Sequence, residues 1–452
     1  MGLSLRRRLC LLLLLCLVVA MLTFLLNPST VNKQKQDSVR SVQKSMVVNS
    51  KIKRVTGHRR RESLHPKETP VQRPLYTWDN CTDLLQRNQS AVDLSESSTA
   101  LSHVDHLHVA AASCVQYTQY WQWDSSSGMD TQDFPIAYII VVHKNAAQVE
   151  LLLHSIYTPY NIYCIHVDKR SPSAFRAALS AMAGCYDNVF ISHRLESVVY
   201  GGYSRLKADF NCLQDLADSP VKWRYVINLA GQDFPLKTQN EIVAQLKVFG
   251  GQNDIPGVQS SSDIHGDRTR FVHDVVTNDG EMSVVQTEKR KSPPPHNLTI
   301  YTGIAYYIAS HAFMSWVLTD KVAKDLLEWS QDTYSPDEFY WATLNKLPAA
   351  PGGFSKPTWS STIRAIKWVY FEGKQYPPCQ GKYVRDVCVF GIGDLQWLID
   401  CHHLFANKFD LNFDPVVLQC LQELLKLRGE RPYDTRFTVK DFPRKDIPWL
   451  LL

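Results

Sequence analysis

"IAYIIVVHKNAAQVELLLHSI", residues 136–156, joins an apolar run to a helical pattern with few residues between them. Ile136 to Val142 reads as a buried strand, and Val149, Leu152, Leu153 and Ile156 then recur at i, i+3, i+4 and i+7 on an amphipathic helix. The alternation returns downstream. "IYCIHVD" (162–168) is a second strand, followed by Pro172 opening an Ala-rich helix to about Gly184. "NVFIS" (188–192) precedes a helix over about 203–218, and "RYVINLA" (224–230) precedes one from about Glu241. Strand and helix in regular alternation predict an α/β domain with a mostly parallel sheet and helices on both faces. Ligands of such sheets sit at the carboxyl ends of the strands, where His143, Asp168 and Gln232-Asp233 fall. Each alone is as readily a loop residue or helix cap; together they outline one rim of a crevice.

Beyond residue 250 the pattern is irregular, with the proline-rich "SPPPHNLTIYTGIAYYIAS" leading into aromatic strands and a Cys-flanked hairpin expected over 379–398. No internal repeat is visible. Gly391-Ile392-Gly393 lacks the third glycine and helix start of a dinucleotide fingerprint.

The 452 residues, 44% of them hydrophobic, exclude a disordered chain and suffice for one large domain with appendages. Residues 10–26, directly after Arg6-Arg7-Arg8, are an uncharged apolar run at the short end of a membrane span. The run exceeds the usual signal-peptide core and no clean cleavage site follows, so an uncleaved anchor is expected, with everything after it lumenal. Charge is split: residues 1–75 carry 15 Lys or Arg against 3 acids, which leaves the rest of the chain at −7. The basic stretch after the anchor reads as a solvated stem rather than a nucleic-acid surface. Nine cysteines follow the apolar run without a CxxC or a His cluster at zinc-ligand spacing, so disulfides are expected and a metal site is not. Sequons at Asn80, Asn88 and Asn297 fall on the lumenal side.

In "TYSPDEFYWATL" (333–344) two acids, Asp337 and Glu338, follow Ser335-Pro336, the residue types of an N-cap and first helical position. The stretch is therefore either a capped helix start or a catalytic acid held in place. Arg385, inside the small Cys379–Cys388 loop, and Lys408 are either surface charges or a clamp for anionic oxygens.

"YSPDEFYWATL" (334–344), "RAIKWVYFEG" (364–373), "GKYVRDVCVFGIGDLQWL" (381–398) and "HHLFANKFD" (402–410) resemble signature segments of the vertebrate β-1,6-N-acetylglucosaminyltransferases that make core 2 O-glycan and I-antigen branches, glycosyltransferase family 14. The likeness extends upstream through "FPIAYIIVVHK", "YNIYCIHVDKR", "LESVVYGGYSRLKADFNCL" and "VINLAGQDFPLKT", and spans roughly 81–422. It implies an inverting, metal-independent GT-A glycosyltransferase that takes GlcNAc from UDP-GlcNAc in the Golgi. The implied organisation is a cytoplasmic tail (1–9), signal anchor (10–26), lumenal stem (27–80), catalytic domain (81–430) and C-terminal tail (431–452). Partners would be UDP-GlcNAc, O-glycan acceptors of glycoproteins and the Golgi membrane; a homodimer is compatible, nucleic acid is not expected, and no cofactor is needed.

The resemblance makes Glu338 the catalytic base and Arg385 with Lys408 the pair that holds the diphosphate. Val141, Val142, His143, Asp168, Lys169, Arg170 and Tyr200 would line the nucleotide sugar, and Trp368, Tyr370 and Arg268 the acceptor. Disulfides would join Cys81 to Cys420, Cys114 to Cys185, Cys164 to Cys212 and Cys379 to Cys388, leaving Cys401. Attack by a sugar 6-hydroxyl in one displacement needs one base and positive charge on the leaving diphosphate. "HVDKR" carries no DxD metal motif, and Asp337 is expected to cap while Glu338 acts. Core 2 enzymes have an acceptor-binding Glu where Pro256 matches here, a feature of the I-branching type, whereas "KWVYFEG" is closer to core 2. Core 2 branching of Galβ1-3GalNAc is the expectation. I-branching of poly-N-acetyllactosamine and a catalytically weak membrane-anchored lectin are the alternatives. A glycoside hydrolase would need two carboxylates facing each other across about 5–9.5 Å, which adjacent acids cannot supply.

Overall fold

The computed structural model describes residues 81, 113–121, 129–259, 267–357, 361 and 363–430. The expected anchor (10–26), stem (27–80), C-terminal tail (431–452) and the sequons at Asn80 and Asn88 lie outside the described residues. No helix among the described residues is long and apolar enough to cross a membrane.

Four strands, β1 (Ile136–Val142), β2 (Ile162–Val167), β3 (Val189–Ile191) and β4 (Tyr225–Ala230), run parallel in the spatial order β4-β1-β2-β3. Ile308–Ser310 adds an antiparallel edge beside β4. Helices α1 (Ala146–Ile156), α2 (Ser173–Ala183), α3 (Tyr203–Ala217) and α4 (Gln239–Phe249) follow the four strands in turn. The fold is thus mixed α/β around a mostly parallel sheet.

The pleat explains why β1 is apolar throughout. Ile136, Tyr138, Ile140 and Val142 point into a core shared with α1, α2 and α4, while Ala137 and Ile139 point into the opposite core with α3. Each fully buried Ile or Leu stabilises the sheet by ~1.5–3 kcal/mol. Helix α4 begins before Glu241 because Glu241 is the third residue of a capping box: its carboxylate accepts from Thr238 N at 2.7 Å.

A second, three-stranded sheet pairs Arg364–Ala365 and Asp233–Pro235 with Phe405–Asn407. Its core takes in Phe390, Leu395 and the helix Pro415–Gly429. Four disulfides, Cys81–Cys420, Cys114–Cys185, Cys164–Cys212 and Cys379–Cys388, have Cα separations of 5.0 to 5.8 Å, and Cys401 is free and buried.

Phe271–Asn278 and Glu281–Arg290 form an antiparallel hairpin in the region that reads as irregular from sequence. Asp279 and Gly280, at φ 50° and 83°, make its two-residue turn, and Asp-Gly between alternating strands is the signal for it.

Candidate active site

Strand β1 ends at the topological switch point, with β2 on one side and β4 on the other, so its last residues open onto a crevice. Val142 O accepts from Asp168 N at 2.8 Å, and His143 O accepts from Ser171 Oγ at 2.8 Å, which joins the ends of β1 and β2. Asp168 is buried, and Arg170 engages both of its oxygens, from the backbone N at 2.8 Å and from Nη2 at 3.2 Å. Lys169 N donates to Glu196 O at 2.9 Å.

Asp233 departs from the expected rim. It is fully buried, held by Arg364 Nη2 at 2.5 Å and Asn407 Nδ2 at 2.7 Å, and by accepting from Ala230 N at 2.5 Å it ties the central sheet to the second one. Gln232 donates to Phe409 O at 3.0 Å and belongs to the same seam.

The expected hairpin forms over Lys382–Val384 and Val387–Val389, and Arg385 and Asp386 are its two-residue turn. Both have φ in the left-handed region, 52° and 63°, as a type I′ turn requires. Neither is glycine, so the turn stores backbone strain of ~1–3 kcal/mol per residue. Several contacts over-determine it. The Cys379–Cys388 disulfide closes the loop, Val369 N donates to Asp386 O at 3.0 Å, and Lys408 Nζ donates to Val384 O at 2.6 Å. Below it, the fully buried Lys367–Asp394 pair at 2.7 Å anchors the strands.

This turn gathers cations. Burial lowers the Lys408 ammonium below its ordinary value, and repulsion from Arg385 and Lys144 lowers it further. His143 is lowered by burial first and then by Lys144; Asp168 opposes this, and Arg170 and Arg385 add to it. Among the described residues no carboxylate pairs with Arg385 or Lys408; the Arg385 guanidinium instead lies 4.5 Å over the Tyr200 ring. A corner in which cations lower one another's proton affinity is one that an anion would stabilise. Lys144 is the member that sequence reasoning missed, although it stands next to His143 at the same strand end.

Tyr200 links this corner to the candidate acid. It is 68% exposed, and its phenol is raised by burial of its remaining surface, then by Tyr334 and Glu338, with Arg385 opposing. Glu338 closes a 3-10 turn, Pro336–Glu338, and is 36% exposed in its side chain. The turn is held by its backbone: Ser335 N donates to Gly201 O at 2.7 Å, and Glu338 O accepts from Gly303 N at 2.6 Å. Arg268 donates to the Glu338 carboxylate and lies over the Tyr334 ring. Arg268, Thr299, Thr302, Ser335 and Glu338 line one cleft.

The capped-helix reading of this stretch is corrected. Ser335 sits at φ 46° and makes no side-chain cap, and the α-helix starts only at Tyr340. Asp337 caps nothing; it is buried, opposite Arg205.

Trp368 pairs in a β-bridge with Val387, and the exposed Tyr370 donates to Asp386 Oδ2 at 2.5 Å, so both flank the Arg385 turn. Pro256 is buried and is not among the residues that line the cleft, whereas Gln259, three residues on, is. Asn297 is exposed in a short turn. Cys379, Cys388 and Asp394 lie close enough to suggest metal ligands, but the two sulfurs are bonded to each other and Asp394 to Lys367.

A family model described as Core-2/I-Branching enzyme matches residues 136–399. The human N-acetyllactosaminide beta-1,6-N-acetylglucosaminyl-transferase is 47% identical over 64% of this chain and 71% of its own length. The mouse beta-1,3-galactosyl-O-glycosyl-glycoprotein beta-1,6-N-acetylglucosaminyltransferase 4 is 41% identical over 75% of this chain and 74% of its own. A zebrafish protein of that same description is 42% identical over 77% of this chain and 84% of its own. Among solved structures, a diphosphocytidyl-methylerythritol synthase of Anaerococcus prevotii matches at 15% identity over 46% of this chain and 87% of its own, with a TM-score of 0.22, too slight to carry an argument.

Proposed function

The chain belongs to the Core-2/I-branching enzyme family, and from that premise we propose that it is an inverting GT-A transferase that moves GlcNAc from UDP-GlcNAc to the 6-hydroxyl of a Gal or GalNAc acceptor. The observation that carries this reading is one half-exposed carboxylate, Glu338, and a pair of cations, Arg385 and Lys408, that have no carboxylate partner among the described residues, with Tyr200 under the Arg385 guanidinium and within the field of Glu338.

In the proposed reaction the acceptor 6-oxygen attacks the anomeric carbon of the α-linked sugar. Glu338 takes the hydroxyl proton, the new C–O bond forms as the bond to the diphosphate breaks, and configuration inverts. The leaving diphosphate gains charge in the transition state. Arg385 and Lys408, with Lys144 behind them, stabilise that charge where it develops. Asp168 is committed to Arg170 by both oxygens, which favours a role in orienting the donor over one as a metal ligand. His143 and Lys169, at the ends of β1 and β2, and Tyr200, before α3, are assigned to the donor wall together with the backbone of Val141 and Val142, the Val142 side chain itself being buried in the core. Trp368 and Tyr370 offer ring faces to the acceptor, and Arg268 holds the base until an acceptor hydroxyl replaces part of that contact.

The proposed acceptor is Galβ1-3GalNAc of mucin-type O-glycans, on the aromatic pair Trp368 and Tyr370. A second reading, branching of poly-N-acetyllactosamine, is favoured by the 47% identity to the human N-acetyllactosaminide enzyme. The lumenal face of the Golgi, with a type II anchor at 10–26, is the proposed location. The test is transfer from UDP-GlcNAc by the full chain to both acceptors, with product linkage determined. β-1,6 product on Galβ1-3GalNAc supports the reading, product on polylactosamine alone moves it to the second, and none on either overturns the enzyme assignment.

A further inference from the structure

The proposed reaction needs a carboxylate aimed at the acceptor as well as a turn that carries it. The backbone bonds of Ser335, Glu338 and Gly303 fix the Pro336–Glu338 turn, but they do not fix the Glu338 side chain. Among the described residues that carboxylate takes one hydrogen bond, at Oε2 from Arg268 Nη1. Whatever holds the guanidinium therefore sets the direction of the acid.

Arg268 has little support from its own element. It lies in a single helical turn, Asp267–Arg270, none of whose residues is buried, and its side chain is a quarter exposed. Tyr334 supplies the support. Tyr334 N donates to Arg268 O at 3.0 Å, and the Arg268 guanidinium carbon lies over the Tyr334 ring, 5.4 Å from its centre. One residue thus grips both the backbone and the side chain of Arg268. The ring is itself confined. Gly201, at φ 71°, lies against its edge: a Cβ added there would stand 2.8 Å from Tyr334 Cε2 and 2.9 Å from Cζ, closer than van der Waals contact. Gly201 O also accepts from Ser335 N at 2.7 Å, so the same glycine seats the next residue of the chain. The His273 ring, on the strand Phe271–Asn278, stands 5.8 Å from the Tyr334 ring.

We propose that Tyr334 is a positioning residue for the base: by holding Arg268 on its ring and on its backbone N–H, it directs Arg268 to Oε2 of Glu338 and leaves Oε1 to receive the acceptor proton. A cation over an aromatic face is attracted by the ring quadrupole, more strongly where water is partly excluded, and Tyr334 is half-buried. Without the ring the guanidinium keeps its charge and loses its orientation, and the carboxylate follows it. Transfer needs the reacting atoms in near-attack geometry, so a displacement of about 1 Å costs up to ~10²-fold.

The inference rests on Glu338 being the base. Its test is kcat and KM of the full chain, with whichever acceptor is branched, for Tyr334→Phe and Tyr334→Leu, each in the wild-type and the Arg268→Gln background. Tyr334→Leu should lower kcat about 3- to 10-fold at unchanged donor KM, the fold-change that a partly desolvated cation–π contact corresponds to. Tyr334→Phe keeps the ring and should stay within about twofold of wild type. In Arg268→Gln no guanidinium remains to be held, so adding Tyr334→Leu should cost less than about twofold more; a residue that only supported the fold would cost as much in either background. Tyr334→Met, of similar bulk and without a ring, decides the matter if Tyr334→Leu does not fold. Wild-type turnover in Tyr334→Leu, an equal loss in Tyr334→Phe, or an additive loss on top of Arg268→Gln overturns this inference and leaves the transferase reading intact. A folded wild type that transfers nothing overturns both.

Discussion

Replacing Glu338 by Gln separates chemistry from architecture at this site. The turn that carries Glu338 is held by its backbone, Glu338 N to Ser335 O at 3.0 Å and Gly303 N to Glu338 O at 2.6 Å, and an amide side chain alters neither bond. Arg268 can still donate to the amide oxygen. The ion pair that is lost is a quarter to a third exposed, and pairs at such exposure contribute ~0–1 kcal/mol, so the thermal midpoint should move little. What the amide cannot do is accept the acceptor's proton. Loss of a general base costs ~10²–10⁴ in rate, equivalent to ~3–5 kcal/mol of transition-state stabilisation. UDP affinity should stay within about twofold, because the cations proposed to receive the diphosphate cluster at the Arg385 turn and not at Arg268. The assay is release of UDP under saturating donor and acceptor, alongside calorimetric titration with UDP. Turnover within tenfold of wild type would remove Glu338 from the chemistry. A parallel loss of UDP affinity would instead show that the acid and the cationic corner are one binding unit.

Arg385→Ala should weaken UDP binding by roughly 10- to 100-fold, the value of one charge-assisted contact, and the Lys408 ammonium should move back toward its ordinary value once its second-largest perturbation is gone; unchanged UDP affinity in a titration refutes the diphosphate role. Activity should survive excess EDTA, because Arg385 and Lys408 are proposed to supply the charge that a divalent cation supplies elsewhere; complete loss restored by Mn²⁺ overturns that. Glu150 is buried beside Trp121, and burial raises its carboxyl from 4.5 to about 7. Within that window the folded state binds more protons than the unfolded one, so stability falls as pH rises, by up to ~3 kcal/mol. Glu150→Gln should flatten the dependence in denaturant titrations between pH 5 and 8, and an unaltered slope would show that Glu150 does not titrate there.

The central sheet was legible because its signal is local. β1 to β4 begin and end within a residue or so of the positions that apolar runs and turn residues indicate, since a strand buried on both faces must be apolar at every position. The crevice at the end of β1 followed from strand order, and His143 and Asp168 lie there. The hairpin at 271–290 was equally local in its Asp279-Gly280 turn, but its strands are largely exposed and carry too little apolar contrast to stand out.

Other features had no local signal. Asp233 stands at a strand end, as a ligand residue would, and only the arrival of Arg364 and Asn407 from more than a hundred residues away makes it a buried tie. Ser335-Pro336-Asp337-Glu338 has the residue types of a cap, yet Gly201 and Gly303 claim its backbone and hold Ser335 in the left-handed region, so no side-chain cap forms. Pro256 stands close in sequence to residues of the cleft, and the turn of the chain buries it. By itself, then, the sequence determined the apolar periodicities, and with them the strands, the helices and the layer order, because burial selects residue types along short stretches of chain. Which charges meet was decided only in three dimensions: Arg385 near Lys408 and Lys144, Arg268 with Glu338, Arg364 with Asp233. Electrostatic interaction depends on distance and burial, and neither is a property of a residue's place in the chain.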